Sequence, residues 1–462
     1  MNGGEDVSRA AMMGLQEAAR ASGGMAKGDV GFGGVTTDSR AVNAGDLFVA
    51  LVGERFDGHE YVAEALRRGA VAALVSRRVE SEPATPQIVV DDTRLALGRL
   101  AGHWRGRFAL PVVALTGSNG KTTVKEMIAS ILAAHCGTRD AVLATEGNLN
   151  NDIGMPLTLL RLREHHRYAV IEMGMNHAGE IDYLTRIARP GVALVNNAQR
   201  AHVGLLGSLD AVAHAKGEIY SGLSQAGIAV VNADDPHAAY WKSVNSSRRV
   251  VTFGLTSAAD VTATRGNGGH RFGLPDATFS AALQVRGEHN LRNALAACAA
   301  AYALGIPARA MQAGLEAFGG VPGRLQRRVA ASGAVVIDDT YNANPESVKA
   351  AISVLAAEPG RRLFVMGDMG ELGGESGQMH AEVGEFARES GIDALMAMGE
   401  ASRQAVQAFG RGATHFDELE PLIRAASREA ERGATVLVKG SRFMRMERVS
   451  DAIAGKAGGH AV

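Results

Sequence analysis

Short apolar runs recur along this chain, each closed by a glycine-bearing or polar turn and followed by a stretch with one apolar face. Continuous apolar runs read as strands buried on both faces, and their alternation with amphipathic stretches predicts a parallel sheet covered by helices. Residues 34–108 carry a small set of such runs, at Asp46–Leu51, Val71–Val75 and Gln87–Val90, with a helix ending near Ala70. A longer series follows at Val112–Leu115, Ala169–Met173, Ala193–Asn197, Ile228–Asn232 and Val250–Phe253. Between Asp260 and Val285 the pattern shortens and alternates around Gly266–Gly269, as in hairpins, before a helix over Leu291–Leu304. The third series is Val335–Asp338, Leu363–Met366, Ala394–Met398 and Thr435–Val438. The expectation is an α/β chain of three domains: a small α/β module (31–108), a central parallel sheet (109–320) whose first strand carries the P-loop read below, and a carboxy-terminal Rossmann-like wound sheet (321–462). Residues 1–30 form an amino-terminal extension with one candidate helix, Val7–Ala21.

Composition narrows the function classes. A chain of 462 residues exceeds one core, and about 150 residues per domain also suggests three. Forty-eight basic residues against 49 acidic ones give a net charge of −1, which argues against nucleic acid or an anionic membrane as main partner. Two cysteines, Cys136 and Cys298, are too few for a disulfide framework or a thiolate metal site. The amino terminus lacks a basic segment followed by an apolar one, and the alanine run from Asn293 to Leu304 is too short to span a bilayer. The expectation is a cytoplasmic protein acting on small molecules.

The chemistry starts at Val112-Val113-Ala114-Leu115-Thr116-Gly117-Ser118-Asn119-Gly120-Lys121-Thr122-Thr123. A strand, a small-residue turn and a helix start can offer backbone N–H groups to one anion where the helix dipole also favours it. Lys121 adds a point charge for the β/γ-phosphates, and the Thr122 hydroxyl can ligate magnesium. Leu115 stands where the general P-loop pattern has its first glycine, so this is a shorter variant. Glu172, at the end of the next long strand, is an acid where nucleotide enzymes often keep a metal-associated carboxylate, although a buried structural acid fits the same pattern. His202 and Lys216 follow the strand after that. Amide-rich Thr145–Asn151 suits a polar chain or a capped loop equally, and Ser39-Arg40 reads as a ligand contact or as ordinary turn chemistry. In the third series the polar clusters at 338–345, 367–371 and 439–442 all follow strand ends, the edge where wound sheets bind ligands.

Thr-Gly-Ser-Asn-Gly-Lys-Thr-Thr, Glu-Gly-Asn-Leu-Asn-Asn, Glu-Met-Gly, Asn-Asn-Ala-x-x-Ala-His, Ala-Lys-Gly-Glu-Ile, Gly-Glu-His-Asn-x-x-Asn and Asp-Asp-Thr-Tyr-Asn-Ala-Asn-Pro-Glu-Ser occur here in that order. From about Thr37 to Arg442 the sequence resembles the Mur ligase family. The stretch Asp338–Ser347 is the discriminating piece, because the family's third-residue ligase and folylpolyglutamate synthase carry an Ala-His-x-Pro type sequence there. The Asp-Asn-Pro-Arg motif associated with diaminopimelate selection is missing as well.

The resemblance implies an ATP-dependent amide ligase that adds D-Ala-D-Ala to UDP-N-acetylmuramoyl-tripeptide, in the cytoplasm and as a monomer, through an acyl phosphate. It implies that Gly117, Asn119, Gly120, Lys121, Thr122 and Thr123 hold the triphosphate, with magnesium at two sites drawing on Thr122, Glu172 and His202. Lys216 matches the lysine that the family carboxylates; only its neutral amine could react with carbon dioxide, so burial would have to lower its pKa. Asn290 and Asn293 match adenine-side amides, Arg324 a phosphate-side arginine, and Asp339 and Tyr341 nucleoside contacts. Asn342, Lys439 and Arg442 fall near the incoming amine. Ser39, Arg40 and Gly53 match the uridine-diphosphate module, and Thr145, Asn148 and Asn151 the loop that meets the sugar-peptide. The rival readings are a related ligase with another acceptor, and a nucleotide-dependent binding protein that has lost the chemistry.

Overall fold

The computed structural model describes residues 11–80, 85–201, 203–266, 269–330 and 332–455. Its central sheet has the order Arg249–Phe253, Ile228–Asn232, Val192–Val195, Val112–Thr116, Tyr168–Glu172, Val142–Ala144, and every pair is parallel. Val112–Thr116 is buried throughout and has Tyr168–Glu172 on one side and Val192–Val195 on the other. The order therefore reverses at this strand, and the turn leaving it opens into a crevice. The helix Lys121–Cys136 follows and packs against Glu288–Ala303, whose buried alanines let the two axes approach closely. A three-stranded antiparallel sheet, Thr262–Gly266, Gly269–Gly273 and Thr278–Ala281, occupies the alternating region, with the Phe272 and Phe279 rings stacked 5.0 Å apart.

The first sheet runs Met25–Lys27, Gln87–Val89, Ala72–Val75, Asp46–Val49, Gly34–Thr36, parallel except for its first pair. The helix expected over Val7–Ala21 is shorter and later, Leu15–Ser22. Met13–Gly14 instead pairs antiparallel with Gly31–Phe32, and residues 7–10 lie outside the described residues. The stretch 11–30 is thus built into the body of the protein: Leu15, Ala18 and Ala19 join the core that also holds Leu47 and Leu97.

The third sheet has the order Gln326–Val329, Val335–Asp339, Thr435–Lys439, Arg362–Gly367, Ala394–Met398, Ala413–Phe416, with only the first pair antiparallel. Its two outer strands carry no apolar run, since an edge strand has one paired side and tolerates residues such as Arg327, Arg328 and His415. Among the described residues no helix is long and apolar enough to cross a membrane.

Helix Ser376–Glu389 lies against Ser402–Phe409 at a glycine: a Cβ on Gly384 would collide with the Ala405 carbonyl oxygen. Gly384→Ala should therefore destabilise this unit by about 2 kcal/mol, as overpacking does. On the same helix a Cβ at Gly377 meets only Gln404 Cγ, at 3.6 Å. Differential scanning calorimetry should accordingly show a Tm several degrees lower for Gly384→Ala and one within about a degree of wild type for Gly377→Ala.

Candidate active site

A cleft of about 1120 Å³ lies where the turn after Val112–Thr116 faces the third sheet, and residues of both units line it. Gly120 has φ +79°, and a Cβ there would run into Asn293 Oδ1. Glycine alone satisfies both the left-handed turn and the close packing. Lys121 then opens a 16-residue helix whose first N–H groups have no intrahelical acceptor and point toward the cleft end. Not every loop donor is available. Ser118 donates its N–H to Asn197 O at 3.0 Å and Asn119 donates to Asn197 Oδ1 at 2.9 Å, so the cradle is narrower than the sequence suggested and rests on the helix start.

A chain of amides fixes that turn. Asn290 Oδ1 accepts from Asn293 Nδ2 at 3.3 Å, Asn293 Oδ1 accepts from Asn196 Nδ2 at 3.1 Å, and Asn196 Nδ2 also donates to Asn119 O at 2.9 Å. Asn196 received no role from the sequence, because an amide at a strand end acquires meaning only from what it meets across the sheet. Asn344 was missed for the same reason: it caps helix Pro345–Ala356 and pairs amide to amide with Asn119, at 2.8 and 3.2 Å.

Lys121 turns its ammonium back onto Gly117 O at 2.8 Å. Burial lowers its pKa, while the Glu172 carboxylate raises it. Glu172 itself is buried; its Oε1 accepts from Asn150 Nδ2 at 2.7 Å, and its Oε2 is buried with no hydrogen-bond partner. Thr145 does not line the cleft. Its Oγ1 accepts from Glu172 N at 2.9 Å, and its carbonyl accepts from buried Lys125 at 2.5 Å, so it orients the acid's strand. Lys125 is a further supporting residue, to which the sequence analysis gave no role.

Lys216 lies on helix Leu209–Gly217 at 1% exposure, and its pKa is driven well below the usual lysine value by burial and then by the charge of Lys121. His202 lies outside the described residues. From the third unit's side, Arg324 donates to Thr122 Oγ1 at 2.9 Å, and its guanidinium stands 4.1 Å from the Tyr341 ring centroid. Asp339 and Lys439 are register neighbours on adjacent parallel strands, joined at 2.6 Å, and Lys439 also donates to Asn342 O at 2.8 Å. Asn148, Asn342 and Arg442 line the cleft; Asn151 instead caps the turn into helix Gly154–Leu159.

The three residues matched to the uridine-diphosphate module sit on the first unit, apart from the cleft. Ser39 and Arg40 belong to the first unit, where Asp38 takes the exposed Arg40 guanidinium at 2.8 Å, and Gly53 closes a turn with Phe56 O at 3.0 Å. None of the three lines the cleft.

Family models match in three consecutive pieces: "Mur ligase family, catalytic domain" over 32–105, "Mur ligase middle domain" over 115–301 and "Mur ligase, glutamate ligase domain" over 323–442. The chain belongs to the Mur ligase family. Among its relatives, the UDP-N-acetylmuramoyl-tripeptide–D-alanyl-D-alanine ligase of Escherichia coli (strain K12) is 46% identical over 92% of this chain and 94% of its own length. The ligase of the same name from Bacillus subtilis is 36% identical over 90% of this chain and 92% of its own. Crystal structure I of MurF from Acinetobacter baumannii superposes with a TM-score of 0.88 at 38% identity, covering 96% of this chain and 98% of that one. MurF from Thermotoga maritima, solved in complex with ADP, gives a TM-score of 0.79 at 29% identity over 91% and 97% of the two chains.

In this Mur ligase the Gly120 turn is the tightest part of the cleft. Gly120→Ala should lower stability by roughly 2 kcal/mol or more, from left-handed strain together with the clash against Asn293. Pairing it with Asn293→Ala should recover part of that loss. Equilibrium urea unfolding of the two single variants and the double variant measures this coupling.

Proposed function

We propose that this protein is an ATP-dependent ligase that joins D-alanyl-D-alanine to UDP-N-acetylmuramoyl-tripeptide, giving the pentapeptide precursor of peptidoglycan with ADP and phosphate. The observation that carries the reading is the meeting of the Lys121–Thr122 helix start with Arg324 and Tyr341 of the third unit in one cleft, in a chain matched nearly end to end by ligases of that name. The reading assigns the enzyme to the cytoplasm, where ATP is found, and to a monomer, since one chain supplies both lips of the cleft.

Forming an amide from a carboxylate in water requires activation. The tripeptide's terminal carboxylate attacks the γ-phosphorus of ATP, an acyl phosphate forms and ADP leaves; the dipeptide amine then displaces phosphate. The protein's part in the first step is positioning and charge neutralisation. The helix start and Lys121 hold the phosphates, Arg324 covers Thr122 from the other lip, and the amides Asn290 and Asn293 face the nucleoside. In the second step the cationic groups beside the new tetrahedral oxyanion stabilise it. Asn342, Lys439 and Arg442 flank the path of the amine.

The donor set fits magnesium. The Thr122 hydroxyl, which here accepts from Arg324, and the unpartnered Oε2 of buried Glu172 are hard oxygens, and the family resemblance adds His202. When bound, the ions supply positive charge at the transferring phosphoryl group. Lys216, buried and pushed toward its neutral amine, has the state that carbon dioxide addition requires, and the product would carry a negative charge toward Lys121. Ser39, Arg40 and Gly53 on the first unit are assigned to the uridine diphosphate end of the donor, and Asn148, which lines the cleft, to its sugar-peptide.

Phosphate release from ATP tests the proposal, with UDP-N-acetylmuramoyl-tripeptide supplied and D-Ala-D-Ala, a single amino acid or no acceptor added. Release that depends on the dipeptide is expected; equal release with every acceptor would overturn it. Lys121→Ala should leave the circular dichroism spectrum and Tm close to wild type while cutting turnover by about a thousandfold or more. Lys216→Ala should also lose turnover, and millimolar short carboxylic acids should restore part of it by supplying the missing anion. Lack of any rescue would count against the carbamate.

A further inference from the structure

Arg200 occupies one of the two positions that the motif Asn-Asn-Ala-x-x-Ala-His leaves open, and it is drawn entirely toward the third unit. Its guanidinium grips Glu382 with two parallel bonds, Nη1 to Oε2 at 2.8 Å and Nη2 to Oε1 at 2.9 Å, while its Nε pairs with Glu346. Lys349 also donates to Glu382, at 2.5 Å, so two cations balance two anions. The side chains are only 29%, 25% and 34% exposed for Arg200, Glu346 and Glu382, which sets the cluster apart from exposed surface pairs of little worth. The Arg200 guanidinium holds the Glu382 carboxyl down at about 2.

We infer that Arg200 is a positioning residue that latches the third unit shut over the phosphate loop. Glu346 lies in the first turn of helix Pro345–Ala356, two residues after Asn344, and Asn344 is the residue whose amide pairs with Asn119 of the loop. The bidentate grip thus sets the start of that helix against the turn that cradles phosphate. A third contact continues the seam: Gly204 donates its N–H to Glu371 O at 3.3 Å, and a Cβ on Gly204 would strike the Gly373 backbone. The consequence for catalysis rests on the ligase reading. While the latch holds, the acyl phosphate meets the dipeptide amine; when it opens, water reaches the same carbon, and ADP is released without product.

Small-angle X-ray scattering and paired assays of ADP and ligated product, on the full-length wild type, Arg200→Ala, Arg200→Lys and Glu382→Gln, test this. Wild type should release one ADP per product and scatter as a compact particle. Arg200→Ala and Glu382→Gln should each enlarge the radius of gyration, release ADP in excess of product, and raise the KM for D-Ala-D-Ala on the order of tenfold. Arg200→Lys, with a charge but no fork, should fall between them. If Arg200→Ala does not fold, Glu382→Gln and Arg200→Lys read the same contact. Unchanged scattering in the variants that fold overturns the latch whatever turnover does. Opened variants that still match ADP to product overturn its role in coupling. A wild type that consumes no ATP with both peptides, while its variants still open, sinks the ligase reading and leaves the latch standing.

Discussion

The left-handed bend at Gly120 is the constraint on which the rest of the cleft depends. A parallel strand running into a helix must turn sharply, and here the turn is pressed so closely by Asn196 and Asn293 that no side chain fits. Because the bend cannot relax, the first turn of the Lys121 helix has a fixed direction, and its N–H groups converge on one volume. Lys121, Thr122 and the Asn119 amide inherit their positions from that bend, and so do the groups of the third unit that reach them. Moving the turn would uncouple Arg324 from Thr122 and Asn344 from Asn119 together.

Lys216 is buried and Lys121 half-buried at the cleft, and their surroundings differ. Lys121 feels the carboxylates of Glu172 and Glu371, which offset part of what burial costs its charge. No carboxylate offsets this at Lys216: burial and the positive field of Lys121 both act to remove its proton. Both amines are shifted toward the neutral form, Lys216 further than Lys121. A phosphate site is served by a lysine that keeps its charge, and a lysine that must react as a nucleophile by one that loses it.

The sequence was most readable where a residue's meaning is local. Val112–Thr116, the glycine turn and the helix behind them follow from apolar run, turn chemistry and amphipathicity, and the longer apolar strands of the three large sheets fell within a residue or two. Gln326–Val329 and Ala413–Phe416 escaped because an edge strand need not be apolar, and Val142–Ala144 because three residues make too short a run. Site residues divide in the same way. Lys121 and Glu172 announce themselves at strand ends, whereas Asn196, Asn344, Lys125 and Arg200 look like ordinary polar residues until the fold brings them against partners 77 to 225, 20 and 182 positions away. Ser39 and Arg40 were legible only through a family pattern, and nothing in their local contacts marks them as more than a capped turn.

The distribution of apolar contacts decides which part of the molecule can move. The first and central units share one continuous core: Leu47, Leu74 and Ile88 join Leu97 and Trp104, and these join Leu160, Ile181 and Val112. The Trp104 indole also donates to Leu162 O at 3.1 Å, so separating these units would expose a large apolar seam. Among the described residues the third unit keeps its cores to itself, apart from Val203 of the central unit, which packs against one of them. Its contacts with the phosphate loop are amide pairs and ion pairs, groups that water can satisfy nearly as well when they part. A polar seam of this kind holds closed and open forms close in free energy, whereas an apolar seam would fix one of them. An enzyme that must admit a peptide, exclude water and then release a longer peptide needs that near balance at the moving lip and rigidity everywhere behind it.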